Sequence, residues 1–181
     1  RSFALQALFP KLERELAPWA ADKGLNLRMR DTTLVPFADP GLVELIVRNL
    51  LLNAIRYTEH GGVLLAARRR AGQAVIEVWD TGMGIPPESH ELIFRAFQQL
   101  GNPQRDRRNG LGLGLAIVRG LAQAMGGKVS LRSRPGRGTV FRVALPMGLK
   151  RPQEVDAVPL AVADLRGLRV LLIEDDEGVR Q

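Results

Sequence analysis

The sequence predicts a two-layer α/β sandwich. Three observations carry that reading. Several segments repeat apolar residues at helical spacing, and others are short β-rich runs bounded by turn residues. The two kinds interleave without the regular βαβ alternation of a doubly wound sheet. With 181 residues, 45% of them hydrophobic, the chain has material for a packed core and for one domain plus a piece of another.

Leu5, Leu8, Leu12 and Leu16 stand near helical spacing, so the first twenty residues read as a helix crossed by Pro10 and Pro18. Leu25 to Arg30 alternates apolar and polar with period two and predicts a half-buried strand. Asp39-Pro40 supplies an N-cap and a first-turn proline for a helix running to about Tyr57, before Gly61-Gly62. On a helical wheel, Val43, Ile46, Val47, Leu50 and Ala54 form its apolar face. Two strands follow, Val63 to about Arg69 and Ala74 to Trp79, joined at Ala71-Gly72. Beyond Asp80 come a Gly/Pro-rich loop, a short helix from about Pro87 to Phe97, and a polar stretch from Gln98 to Asn109. Gly110 opens an apolar helix that stops at Gly126-Gly127 near Met125. Lys128–Ser133 and Thr139–Leu145 read as a strand pair around Pro135-Gly136. Residues 148–167, with Pro152 and Pro159, read as a linker, and Leu168–Ile173 as a buried-type strand entering the acidic run Glu174-Asp175-Asp176-Glu177.

Composition excludes several classes. No cysteine means no disulfide framework, no thiolate metal site and no cysteine nucleophile. No apolar run reaches the roughly 18 residues of a membrane span, so no direct membrane insertion is expected. The net charge of +7 points to an anionic partner. Nucleic acid is disfavoured, because the chain has only nine aromatic residues and its arginines are not gathered on one helix or arm. The excess is uneven: residues 1–147 carry +9 and residues 148–181 carry −2, as expected for two different domains.

Three segments could carry chemistry. Asn49, Asn53 and Arg56 make a stripe along the flank of the second helix, one turn apart. They read either as solvated polar groups or as two amide oxygens and a guanidinium presented to a cation–phosphate ligand. Asp80-Thr81-Gly82-Met83-Gly84-Ile85 puts a carboxylate at a strand end before two glycines. It reads either as a turn or as a place where a ligand meets the backbone and donates to the carboxylate. Gly110-Leu111-Gly112-Leu113-Gly114 leads into a helix with free amides and a positive dipole end, an anion site. Its spacing is neither the dinucleotide-binding fingerprint nor a P-loop.

In this order the segments resemble the catalytic, ATP-binding domain of sensor histidine kinases, a branch of the family that also holds gyrase, Hsp90 and MutL. Asn49–Thr58 resembles the N box, Asp80–Ile85 the G1 box, Phe94-Arg95-Ala96-Phe97 the F box and Gly110–Val118 the G2 box. Gly136–Phe141 resembles the glycine–threonine strand that closes the domain. The resemblance covers about residues 20–147. It implies a Bergerat-type fold, a mixed, largely antiparallel sheet covered on one face by about three helices. It also implies ATP and Mg²⁺ as cofactors. By the resemblance, Asn53 would ligate Mg²⁺, Asn49 would assist at the phosphates, and Asn49, Asn53 and Arg56 would form the catalytic stripe. Asp80 would accept from the adenine amine and Tyr57 would pack near the ring. Gly82, Gly84, Ile85, Phe97 and Thr139 would complete the nucleotide site. Gly110, Leu111, Gly112, Leu113 and Gly114 would meet the phosphates, with Gln98–Asn109 as a lid.

Two departures are visible. Arg56 stands where the N box often has Lys, and Arg95-Ala96 stands where the F box commonly has an acid. Asn49 takes the place held by a water-activating Glu in the hydrolysing branches, so phosphoryl transfer to a protein is expected over hydrolysis. His60 and His90 are the two histidines, and neither sits in an H box, although His90-Glu91-Leu92 begins like one. The phospho-accepting histidine is therefore expected on a dimerisation domain outside this chain, and the chain alone should not autophosphorylate. Leu168–Asp176 resembles the first strand and acidic pair of a receiver domain, as in a hybrid kinase. The expected organisation is a connection over 1–20, the catalytic domain over 21–147, a linker over 148–167 and the start of a receiver over 168–181. The expected partners are the histidine-bearing domain and a receiver domain or response regulator. The expected localisation is cytoplasmic, with anchoring of the parent in the inner membrane left open. The alternative function is an ATP-sensing scaffold without phosphotransfer.

Overall fold

The computed structural model describes residues 1–95 and 113–148. A single turn of 3-10 helix, Leu5–Ala7, leads into helix α1, Leu8–Asp22. Pro18 sits inside α1 without ending it, while Leu8, Phe9, Leu12, Leu16 and Ala20 bury one face. Strand β1 is Asn26–Met29 and helix α2 is Pro40–Tyr57. The expected cap forms: Asp39 is extended and its carboxylate accepts from the Leu42 N–H at 3.0 Å, with Pro40 in the first turn. Strands β2 (Gly62–Arg70) and β3 (Gln73–Asp80) are joined by Ala71 and Gly72, both at positive φ. Paired positive φ values suit a tight hairpin whose strands twist right-handedly, although alanine is an uncommon residue there.

One element departs from expectation. The expected helix from Pro87 to Phe97 does not form over its described part, residues 87–95: Pro87–Ser89 and Leu92–Phe94 are separate 3-10 turns, and residues 96 and 97 lie outside the described ones. Ile93 and Phe94 are held instead by burial in the core. Helix α3 is Gly114–Ala124, four residues later than the sequence suggests, with residues 110–112 outside the described ones. It ends as expected. Gly126, at φ +68°, donates to Gln123 and Gly127 donates to Ala122, a Schellman closure. Strands β4 (Lys128–Arg134) and β5 (Gly138–Pro146) follow.

The five strands form one sheet in the order β1-β2-β3-β5-β4. β1 pairs parallel with β2, and all other pairings are antiparallel. The sheet is thus mixed and largely antiparallel, and three α-helices pack on it. Leu65, Ile76, Val78, Phe141, Val143 and Leu145 from the sheet meet Val43, Ile46, Val47, Leu50 and Ala54 of α2 in one core. All five residues of the α2 face expected from the sequence are buried.

The opposite sheet face is mixed and basic, with Arg68, Arg132 and Arg142 beside Val75, Trp79 and Val140. Its one carboxylate within the strands, Glu77, is 4% exposed. It accepts from Arg142 at 2.8 Å and Arg68 at 2.7 Å, and Arg142 also stacks on the Trp79 ring. Burial pushes the Glu77 carboxyl up, but the hydrogen bonds from Arg142 and Arg68 outweigh it and leave the pKa below the ordinary value of 4.5. A carboxyl held low in the fold adds stability that is complete above its ordinary range and lost as pH falls through and below it. Glu77→Gln should therefore lower stability at pH 7 by about 2 kcal/mol. The deficit should shrink in melts run below pH 4, and a constant deficit across that range would count against the ion-pair explanation.

Candidate functional site

A cavity opens between α2, the loop after β3 and the start of α3. The space it encloses, open solvent at its mouth included, is about 640 Å³. Asn53, Ala54, Tyr57, Asp80, Met83, Gly84, Ile85, Ile93, Leu115, Thr139 and Phe141 line it. Asn53, Tyr57, Asp80, Gly84, Ile85 and Thr139 were singled out in the sequence, and the fold brings them onto one wall. Ala54, Ile93, Leu115 and Phe141 were not, because an apolar residue in a folded element reads as core; nor was Met83, an apolar residue between the two glycines of the loop. The result is a mostly apolar slot with a few polar groups.

Asp80 ends β3 and pairs across the sheet with Thr139 of β5, 59 residues away. Its Oδ1 accepts from the Gly82 N–H at 2.8 Å and the Thr139 N–H at 3.2 Å. Oδ2 has no protein partner among the described residues, so it is open to a donor in the cavity. Burial pushes the carboxyl above its ordinary value of 3.8, and the two backbone N–H groups only partly oppose that. A desolvated carboxylate with one oxygen fixed and the other open is a strong, oriented acceptor.

The loop from Thr81 to Ile85 is pinned on both sides. The Met83 N–H donates to the Tyr57 carbonyl at the end of α2, and the Met83 carbonyl accepts from Gly136 at 2.7 Å. Ile85 donates to Ser133 Oγ at 2.8 Å, and the ring of His90 meets the Ile85 carbonyl at 3.0 Å. Side chains are excluded at two of its glycines. A Cβ on Gly82 would run into the Tyr57 carbonyl, and one on Gly84, at φ +73°, into the Arg134 carbonyl. The end of α2 is fixed too: Lys23 Nζ donates to the carbonyls of Ile55, Arg56 and Thr58, at 2.8, 2.9 and 2.7 Å, groups a helix end leaves unpaired. Tyr57 is thereby placed at the cavity mouth, 41% exposed.

Asn49 and Asn53 occupy successive turns of α2 beside the first residue of α3. Asn49 Nδ2 donates to the Leu45 carbonyl at 2.8 Å, and its Oδ1 faces the start of α3, where a Cβ on Gly114 would lie 3.1 Å from it. Asn53 lines the cavity itself; Asn49 flanks it without lining it. Arg56 is exposed on the same helix and is not part of the wall. Gly82, Leu113 and Gly114 also lie off the wall, Gly82 as part of the pinned loop. Phe97, Gly110, Leu111 and Gly112, together with the lid segment Gln98–Asn109, lie outside the described residues. No group of three or more His, Asp or Glu side chains able to hold a metal occurs among the described residues. A cation here would be held by amide oxygens together with an anionic ligand. Among the described residues, no helix is long and apolar enough to cross a membrane.

The family model for histidine kinase-, DNA gyrase B-, and HSP90-like ATPases matches residues 38–149. The sensor protein TorS of Escherichia coli K12 is 41% identical over 138 residues, which are 76% of this chain and 15% of that protein. The signal transduction histidine-protein kinase BarA of the same strain is 32% identical over 187 aligned positions, 99% of this chain and 20% of that protein. The chain therefore spans a fifth or less of the length of these relatives. Full-length ShkA in complex with AMPPNP superposes with a TM-score of 0.71 at 33% identity, covering 82% of this chain and 31% of that one. The chain belongs to the histidine kinase-, DNA gyrase B- and HSP90-like ATPase family, and it carries that family's ATP-binding catalytic domain in the form found in two-component sensor kinases.

Proposed function

We propose that the cavity holds ATP with its adenine in the apolar slot and its exocyclic amine on Asp80 Oδ2, and that the γ-phosphoryl group goes to a histidine on a separate dimerisation domain. The observation that carries this reading is Asp80 itself, half-buried on the cavity lining, tied through Oδ1 and without a described partner at Oδ2. Guanine would bring an oxygen to that acceptor, and two acceptors facing one another repel. Met83, Ile85, Leu115 and Phe141 suit a flat ring, with Tyr57 at the mouth. The phosphates would then lie toward Asn53, Asn49 and the N-terminus of α3, where free amides and the helix dipole favour negative charge.

The donor set fits Mg²⁺. That ion takes hard oxygen ligands and is commonly held by one or two protein groups plus substrate phosphates rather than a full protein cage. Asn53 would be its ligand, with the Asn49 Oδ1 one turn away beside Gly114. Bound there, Mg²⁺ would neutralise phosphate charge. The protein's part is to position the nucleotide so that an imidazole nitrogen attacks the γ-phosphorus as its bond to the bridging oxygen breaks, leaving ADP. Gly110, Leu111, Gly112 and Phe97 would complete the site from the segment after residue 95. Arg56, exposed near the end of α2, would serve the phosphate end from outside the wall.

Asn49 has no basic lone pair to take a proton from water. Steady-state ATP hydrolysis by this chain should therefore fall far below ordinary enzyme turnover, on the order of 10 per second. A phosphate-release assay reaching that rate would contradict the assignment. Incubation with labelled ATP and a histidine-bearing dimerisation domain supplied in trans tests the transfer itself. Acid-labile phosphohistidine on that domain is the expected product; tight ATP binding with no transfer would leave a nucleotide-sensing scaffold as the better description. Residues 148–167 would act as the linker and residues 168–181 as the start of a receiver domain. The match to BarA runs along 99% of this chain and so extends into both segments. A receiver domain or response regulator would be the next phosphoryl acceptor, with the parent working on the cytoplasmic side.

A further inference from the structure

The hydroxyl of Ser133, on β4, has three polar neighbours. The Ile85 N–H donates to it at 2.8 Å, the Gly138 carbonyl lies 3.0 Å away, and Thr139 Oγ1 lies 2.8 Å away. Counting protons decides the directions. A backbone N–H only donates, a carbonyl only accepts, and each hydroxyl has one proton. The Ser133 proton therefore goes to the Gly138 carbonyl, and the contact with Thr139 is satisfied only when Thr139 donates. The Thr139 proton is then turned away from the cavity, and its remaining lone pairs are what it offers there. Thr139 is itself 6% exposed and tied through its N–H to Asp80 Oδ1. Side by side on the wall stand the Asp80 carboxylate and the Thr139 hydroxyl, both acceptors and neither a donor.

We infer that Ser133 is a specificity-determining positioning residue: by taking the Thr139 proton it makes this end of the cavity accept-only, which selects a purine bearing an amine at its six-position over one bearing an oxygen. The inference rests on the reading of the cavity as the purine site. Ser133 does not line that cavity and acts through Thr139. Without its hydroxyl, Thr139 keeps its proton free, rotates, and donates to an oxygen at the six-position. A site that can donate as well as accept discriminates poorly between the two purines.

The experiment is nucleotide titration of the full chain with ATP and with ITP, which differ at the six-position without the extra amine of guanine. In Ser133→Ala the preference for ATP over ITP should fall about tenfold, the worth of one misdirected hydrogen bond. Ser133→Thr keeps the hydroxyl and should restore the preference. If Ser133→Ala fails to fold by circular dichroism, Ser133→Cys keeps the volume with a weak donor and should shift the ratio in the same direction. A parallel loss of both affinities with the ratio unchanged would mean that Ser133 only braces the loop, which overturns the inference alone. A wild-type chain with no preference for ATP would overturn the purine reading as well.

Discussion

Asp80→Asn should lower ATP affinity on the order of 100-fold while leaving the fold as stable as before, or more so. The two effects come from the two oxygens. Asn keeps an Oδ1 that can accept from Gly82 and Thr139, so the junction of β3, the following loop and β5 survives. It replaces Oδ2 by an amide that donates, and that donor would face the adenine amine. The stability half follows from the raised pKa, whose largest cause is burial. A carboxyl that holds its proton more tightly in the fold than in the unfolded chain stabilises the fold when protonated. That advantage disappears as pH rises through the raised value. At pH 7 the ionised Asp80 is therefore a cost to the fold, and a neutral isostere removes it. Titration calorimetry and a thermal melt on the same protein separate the two halves. Wild-type affinity in Asp80→Asn would remove the basis for the adenine assignment, and a large drop in melting temperature would show that the carboxylate is structural.

Helix α2 was legible almost to the residue because its signals are local. Asp39 caps it, Pro40 starts it, and Val43, Ile46, Val47, Leu50 and Ala54 repeat at its own period. The strands were legible for the same reason, since alternation and turn residues are read within a few positions. The wall of the cavity was legible where a residue type is out of place, as with Asp80 at a strand end or two asparagines in a helix. It was not legible where the residue is ordinary. Phe141 and Leu115 look like core from the sequence, and Ser133 looks like any serine in an edge strand. Its part depends on Ile85, 48 residues away, and on the placement of β5 between β3 and β4. That strand order is set by packing over the whole sheet and leaves no local mark. The 3-10 turns around Ser89 and Ile93 failed as a sequence reading because burial of two side chains, not periodicity, holds them.

At the other end of the site, Asn53→Ala should abolish the Mg²⁺-dependent part of ATP affinity and slow phosphoryl transfer in trans on the order of 100-fold. The argument starts from what surrounds Asn53. It is half-buried on α2, on the cavity wall, one turn from Asn49, and no carboxylate cluster among the described residues could hold the cation in its place. A cation shared between one neutral amide and the phosphates depends on that amide for its position more than a caged ion would. Alanine is the better helix former, so the helix itself should not suffer and the loss is not a folding effect. Affinity measured in excess chelator isolates the remainder. There Asn53→Ala should bind ATP as wild type does, because adenine recognition belongs to Asp80, while Asp80→Asn should stay weak with or without Mg²⁺. If Asn53→Ala loses affinity equally in both conditions, Asn53 contacts the nucleotide directly and the cation must be held elsewhere.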